Sequence, residues 1–153
     1  MTEAPFDIQR AHSWFAVELN NLAWDTLEKK NRTEEDNEQM VHAAHAACFH
    51  WLQVGTVLNH QRAQCLLATV YAKLGYAEPA VRHASKCLEL SQQTGDEQEA
   101  FDLATAYGCA AQAYKCAQQS DKASHMQEKA LQVASTFDAP EDKQVFDRLY
   151  LQI

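Results

Sequence analysis

The sequence predicts an all-α fold of about seven helices that are arranged as antiparallel hairpins. The chain has only four glycines and three prolines in 153 residues, so helix propensity is high along most of its length. No segment of useful length alternates apolar and polar residues with the period of two that marks a β-strand. Because the predicted helices are joined by short connections, each should pack antiparallel to the next.

The first two helices are delimited by residues that begin or end a helix. The first should cover about residues 6–30, and the second should begin after Thr33 and run to about Val54. Thr33 is a good N-cap, and the acidic residues that follow it suit the positive end of the helix dipole. Gly55 is expected to end the second helix.

The later breaks predict five further helices. The third should end at Gly75, and the fourth should begin near Pro79, because proline is tolerated in a first turn. Residues 94 and 95 should end the fourth helix, and residues 96–99 resemble a capping box that opens the fifth. The remaining boundaries are expected at residues 119–121, before the sixth helix, and at Pro140, before a short seventh helix.

The second half of the chain contains an internal repeat. Small residues precede both Tyr71 and Tyr114 at helical spacing, and matching residues follow the two tyrosines at equal distances. The matched pairs are Ala80 and Ala123, Cys87 and Ala130, Leu88 and Leu131, and Leu90 and Val133. Small residues let the two helices of a hairpin approach closely, and each hairpin must bury its apolar face by stacking on the next.

The first copy of this repeat resembles the tetratricopeptide repeat. The residues that carry the resemblance are Leu67, Ala68, Tyr71, Gly75, Ala80 and Leu88. The second copy has Gln118 where glycine is usual, and the offset between copies exceeds the usual ~34 residues. The chain is also similar to uncharacterised bacterial proteins of this build. The resemblance implies one domain over residues 1–153, with the hairpins stacked as a short right-handed superhelix. It would comprise a degenerate N-terminal hairpin (1–56), two repeat hairpins (57–137) and a C-terminal capping helix (138–153).

The resemblance implies a non-enzymatic adaptor that binds a protein or peptide in the concave groove of the superhelix. The groove positions that the resemblance implies include Arg62, Thr69, Lys73, Gln112 and Lys115. Family members that bind acidic chaperone tails use a Lys and an Asn where this chain has Cys65 and Thr69, which argues against that role. The three basic residues would suit a ligand with a carboxylate, although they are equally compatible with an ordinary solvated helix surface.

Charge and hydropathy exclude several classes of function. The formal net charge is -8 and the basic residues are scattered, so we expect neither nucleic-acid binding nor docking on an anionic membrane. No apolar run approaches the ~20 residues that span a bilayer, and residues 1–10 lack the pattern of a signal peptide. We therefore expect a cytoplasmic protein. No catalytic motif or phosphate-binding glycine loop is present, so no enzyme activity and no cofactor is predicted.

The second helix supports an alternative hypothesis, a metal- or small-molecule-binding domain that is possibly enzymatic. His42 and His45 lie one turn apart on one face, and Glu18 shares a face with apolar residues of the first helix. Two histidines and a carboxylate from another helix are a recurring metal site in helical bundles. Glu18 could equally lie at the edge of its face or form a buried hydrogen bond or ion pair, because an unpaired charge among apolar residues is costly.

Two further expectations concern the cysteines and the C-terminus. The five cysteines are odd in number and form no C-x-x-C pair, so we interpret them as small core residues. The last helix is too apolar for a solvated end cap. Its apolar residues are Val145, Phe146, Leu149, Tyr150, Leu151 and Ile153. This helix should either fold back on the sixth helix or pair with a second chain in a homodimer.

Overall fold

The computed structural model describes residues 2–151, and this part of the chain is helical without any β-strand. Its seven α-helices are α1 (Ile8–Leu27), α2 (Glu34–Val54), α3 (Val57–Leu74), α4 (Ala77–Ser91), α5 (Ala100–Cys116), α6 (Ser120–Ala134) and α7 (Pro140–Phe146). A 3-10 turn covers Gly95–Glu97, and a π-helical stretch, Asp147–Leu151, continues α7. Within residues 2–151, no helix combines the length and hydrophobicity that crossing a membrane requires. The predicted all-α fold is confirmed.

The helices stack as three consecutive hairpins, and α7 packs on the third. α1 packs on α2, α3 on α4, and α5 on α6, while α3 also contacts both α2 and α5. One apolar cluster lies between α1, α2 and α3 and includes Met40 and Leu66, which have no exposed surface. A second cluster, rich in alanine and cysteine, joins α3 to α6 and also contains Phe146. The small side chains of the second cluster allow close helix approach, as the repeat pattern predicted.

The start of α2 follows the predicted cap chemistry. The Thr33 hydroxyl accepts a hydrogen bond from the Asp36 amide at 3.1 Å, and the Asp36 carboxylate accepts one from the Thr33 amide at 3.1 Å. These reciprocal bonds satisfy two amides that the first turn of a helix leaves unpaired. The preceding helix ends at Leu27, earlier than expected, and Arg32 donates a hydrogen bond to the carbonyl of Leu27 at 2.9 Å.

The prediction for the start of α5 is wrong by three residues, because Asp96 was the expected N-cap. α4 already ends at Ser91, and residues 95–97 form the 3-10 turn instead of the first turn of α5. The N-cap of α5 is Glu99, whose amide donates to the Asp102 carboxylate at 3.1 Å. Asp102 also binds Arg62 of α3, so a contact between hairpins determines where this helix begins.

The two turns inside the repeat hairpins have the same backbone geometry. Gly75 ends α3 at φ 82°, and Gln118 occupies the equivalent place after α5 at φ 59°. In each turn the next amide donates to the carbonyl oxygen of the repeat tyrosine, Tyr71 or Tyr114, at 2.9 Å. Left-handed backbone is costly for residues other than glycine, so the second turn adopts the repeat geometry in spite of its glutamine.

The C-terminal helix folds back on its own chain. Phe146 is fully buried and Tyr150 nearly so, and both α7 and the π-helical stretch contact α5. Of the two alternatives that the sequence left open, the structure shows the folded-back arrangement, with α5 rather than α6 as its main neighbour. Ile153, which belongs to the same apolar set, lies outside the described residues.

Candidate functional site

The groove predicted along α3 and α5 is filled in its middle by residues 140–151, called here the C-terminal segment. The aromatic ring of Tyr150 lies directly on Gly108, where an added Cβ would come within 2.8 Å of the ring. The side-chain amide of Gln112 donates to the carbonyl oxygen of Leu149 at 2.7 Å. The contacts of this amphipathic segment with α5 thus include one aromatic contact and one hydrogen bond to its backbone.

Two of the predicted groove positions are used inside the protein. The Arg62 guanidinium donates to both carboxylate oxygens of Asp102, at 2.7 and 3.1 Å, and this raises the pKa of Arg62 above its usual value. The side chain of Asp102 is only 4% exposed, whereas that of Arg62 is 51% exposed. Thr69 is buried and its hydroxyl donates to the Cys65 carbonyl at 2.8 Å. This corrects the prediction that Arg62 is a cation available to a ligand, because its charge already neutralises Asp102.

The other predicted positions surround an open cavity of about 670 Å³ at one end of the groove. Lys73 and Lys115 line it from the last turns of α3 and α5, together with Gln112 and residues of α6. Neither lysine takes part in a salt bridge formed within residues 2–151. Glu128 also lines the cavity, so its charged side chains are two lysines and one carboxylate. The charged side chains that line this end of the groove therefore carry a net positive charge.

A second cavity of about 380 Å³ lies between α1, α3, α5 and the C-terminal segment. Its wall combines aromatic residues, Trp24 and Phe101, with the Arg62–Asp102 ion pair. Tyr150 lines both cavities, so the C-terminal segment separates them. The second cavity also reaches the side chain of Cys65.

Three cysteines from three helices converge beside Tyr150. Cys65 of α3, Cys87 of α4 and Cys109 of α5 have sulfur atoms that all lie within 4.8 Å of one another. Cys65 is 4% exposed, and the other two have no exposed surface. The hydroxyl of Tyr150 lies 3.4 Å from the Cys65 sulfur and 3.2 Å from the Thr69 hydroxyl.

The convergence changes the acidity of these thiols. The neighbouring thiols of Cys109 and Cys87 lower the pKa of the Cys65 thiol well below its usual value, because they stabilise its thiolate form. The proximity of Cys65 and Cys87, together with burial, raises the pKa of the Cys109 thiol, whose own hydrogen bond goes to the Ala106 carbonyl at 3.2 Å. Within residues 2–151, this is the only place where three or more potential metal ligands come so close.

The interpretation of the cysteines as core residues agrees with the burial of four of the five, but it missed this cluster. The one sequence signal was that Cys65, Cys87 and Cys109 are equally spaced, one on each of three successive predicted helices. Spacing alone cannot place their sulfur atoms together, since the rotation and crossing of the three helices decide that.

The alternative metal site is not assembled. Glu18 is exposed, because the face of α1 that carries it is largely open to solvent, and α1 instead buries Ala16, Ala23 and Leu27. His42 is exposed and lies 4.0 Å from the carboxylate of Glu38. The structure does not bring Glu18, His42 and His45 together as a group of potential ligands. This hypothesis therefore has no geometric support from the residues between 2 and 151.

The other histidine of that hypothesis, His45, belongs to a polar cluster with Tyr71 and His83. Its Nε2 lies 2.7 Å from the Tyr71 hydroxyl, and the Tyr71 ring stacks on His83 at 5.7 Å between centroids. His83 Nδ1 lies 2.7 Å from the Gln64 side-chain oxygen. Burial, with smaller effects from His45 and Arg82, lowers the pKa of His83 to about 4. His83 is therefore neutral at physiological pH and has a structural role as a neutral hydrogen-bonding group.

The groove and the cysteine cluster are thus the two features that could carry a function. The sequence matches no protein-family model, no curated protein and no solved structure.

Proposed function

We propose that this chain is a non-enzymatic adaptor of tetratricopeptide type that binds a protein or peptide segment in the groove along α3 and α5. The observation that supports this is the C-terminal segment, which the groove already holds. The contacts are an aromatic ring on Gly108 and a hydrogen bond from Gln112 to a backbone carbonyl. A groove that accepts one amphipathic helical segment in this way suits another segment of the same chemistry.

The cavities on either side of Tyr150 indicate what such a ligand carries. An aromatic residue would take the position of the Tyr150 ring, and a carboxylate would approach Lys73 and Lys115 in the open cavity. Exposed ion pairs contribute only about 0–1 kcal/mol each, so the lysines mainly orient the ligand and speed its association. Most of the affinity would come from burying the aromatic side chain.

The C-terminal segment competes with any external ligand for the centre of the groove. A tethered segment has an effective concentration of about millimolar, so an external ligand binds with reduced apparent affinity until the segment is displaced. Removing the Tyr150 ring should therefore tighten binding, whereas reversing the lysine charges should weaken it. These opposite effects distinguish groove binding from binding elsewhere on the protein.

The test is a peptide-display selection on the full-length protein, followed by fluorescence anisotropy of a selected peptide. We expect the selected peptides to be enriched in sequences with an aromatic and an acidic residue. Combined Lys73→Glu and Lys115→Glu should weaken binding by about 5–30-fold, at up to ~1 kcal/mol for each charge. Tyr150→Ala should strengthen it.

The matched control is combined Lys30→Glu and Lys86→Glu, which makes the same change of charge outside the groove. Both control side chains are exposed, and neither lines the 670 Å³ cavity. Equal weakening by the two double variants would mean that binding responds only to net charge. That result, or a selection without enrichment, would remove the support for the groove proposal.

A further inference from the structure

The cysteine cluster has no part in the proposed adaptor function. We propose that Cys65, Cys87 and Cys109 form a binding site for one thiophilic monovalent cation, Cu(I), closed on one side by Tyr150. This inference does not depend on the groove binding a peptide. Its basis is the position of three sulfur atoms from three helices, together with a cavity that reaches them.

The distances between the sulfur atoms suit a shared ion. Three atoms that all lie within 4.8 Å of one another have a common point no more than about 2.8 Å from each, and metal–thiolate bonds are about 2.3 Å long. Closing this gap requires each sulfur to move inward by about half an ångström. Small rotations about the Cα–Cβ bonds can move a sulfur atom by this distance.

The set of donors favours Cu(I) over other ions. Thiolates are soft ligands and select Cu(I), zinc and iron–sulfur clusters. Structural zinc almost always takes four nitrogen, sulfur or carboxylate ligands, and the group in this structure contains three cysteines alone. The nearby Tyr150 oxygen is a hard donor that a Cu(I) ion does not require.

The buried site has an access route. Cys65 and Tyr150 both line the 380 Å³ cavity, whose wall also carries Arg62, Asp102 and Glu28. Each thiol that becomes a thiolate ligand must lose its proton, which can leave through the same cavity. Each cysteine binds the ion as a thiolate, because the protonated thiol is not a metal ligand. Binding then releases one proton from every ligand that is protonated in the free site, and the oxidation states of copper and sulfur do not change.

The test is an anaerobic titration of the reduced, full-length protein with Cu(I) in the presence of the competing chelator bicinchoninate. We expect one Cu(I) per chain. Cys65→Ser, Cys87→Ser and Cys109→Ser should each weaken binding by about 100-fold or more, since each removes a direct ligand and loss of even an indirect one costs 10–100-fold. Cys48→Ser and Cys116→Ser are matched controls outside the cluster, and they should bind like the unchanged protein.

The unchanged protein alone can decide the question if a serine variant fails to fold. X-ray absorption of its copper complex should show three sulfur neighbours at about 2.3 Å, and a pH-stat should record proton release when the ion binds. A protein that takes no Cu(I) from bicinchoninate would overturn the proposal. So would equal loss of binding in the Cys48 and Cys116 controls, or tight binding of one Zn(II) that Cu(I) cannot displace.

Discussion

The contact between Tyr150 and Gly108 can be tested with Gly108→Ala, which should destabilise the protein when the Tyr150 ring is present and stabilise it when the ring is absent. Glycine in a helix interior is less stable than alanine by roughly 0.5–1 kcal/mol, so Gly108→Ala should stabilise α5 if nothing lies against it. In the structure the added Cβ would lie 2.8 Å from Tyr150 Cγ and 3.0 Å from Cδ1. Overpacking of this kind costs about 1–3 kcal/mol, which outweighs the gain in helix propensity.

We therefore expect Gly108→Ala to lower the free energy of unfolding by about 0.5–2 kcal/mol in the otherwise unchanged chain. In a Tyr150→Ala background the ring is absent, and the same substitution should raise that free energy by about 0.5–1 kcal/mol. The difference is a coupling energy of about 1–3 kcal/mol, within the range for residues in contact.

The assay is urea unfolding followed by helical circular dichroism for the four proteins of this cycle. Tyr76→Ala is a matched background, because this tyrosine is exposed and has no contact with Gly108. In the Tyr76→Ala background, Gly108→Ala should still lower the free energy of unfolding. If Gly108→Ala were stabilising by the same amount in all three backgrounds, Tyr150 would not be seated on α5 and the filled groove would have to be abandoned.

Three further predictions concern stability. Gln118→Gly should stabilise the protein by about 0.5–1 kcal/mol in urea unfolding, because it removes a non-glycine side chain from φ 59°. Gly75→Ala should destabilise it for the same reason. If both substitutions changed the free energy of unfolding in the same direction, the two turns would not be equivalent. Arg62→Ala should lower the free energy of unfolding by about 1–3 kcal/mol, because it leaves the buried Asp102 carboxylate without its cation. The double variant with Asp102→Asn should recover part of this loss. If it recovered none, the ion pair would not be the cause of the loss. His83 has a pKa of about 4 in the folded protein against 6.5 for the free group, so only the unfolded chain gains this proton between those values. The free energy of unfolding should therefore keep its full His83 contribution above pH 6.5 and fall by about 1–2 kcal/mol towards pH 4. This value is smaller than the pKa difference alone would give, because the ring is partly exposed to solvent. If His83→Gln had the same pH profile as the unchanged protein, this assignment would be refuted.

The helices could be predicted from the sequence because their signals are local. The cap at Thr33 and the stop at Gly75 depend on hydrogen bonds and backbone angles within a few residues, and both are observed. The repeat could also be predicted, since equal offsets between Tyr71 and Tyr114 reflect equal hairpin geometry. The start of α5 was the exception, because Asp102 is selected as the capping carboxylate while it is paired with Arg62 from another hairpin.

The candidate sites were only partly predictable. Thr69 and Gln112, two of the groove positions that the resemblance implies, contact Tyr150 and Leu149, but the resemblance did not show that residues 140–151 would lie there. The hypothesis that Glu18 converges with two histidines assumed that the face of α1 carrying Glu18 is buried. In the structure α1 buries a different face, which carries Ala16, Ala23 and Leu27. An apolar stripe shows that a helix can bury a face, but the neighbouring helices decide which face is buried.

The sequence by itself determined that this protein is all-helical, where most of its helices begin and end, and that its second half repeats. These properties follow from propensity, capping and periodicity, all of which act over a few turns of helix. Only the tertiary structure decided that Tyr150 closes the groove and that the sulfur atoms of Cys65, Cys87 and Cys109 meet. The physical reason is that such contacts depend on the packing and rotation of helices that are distant along the chain, and no local pattern encodes those angles.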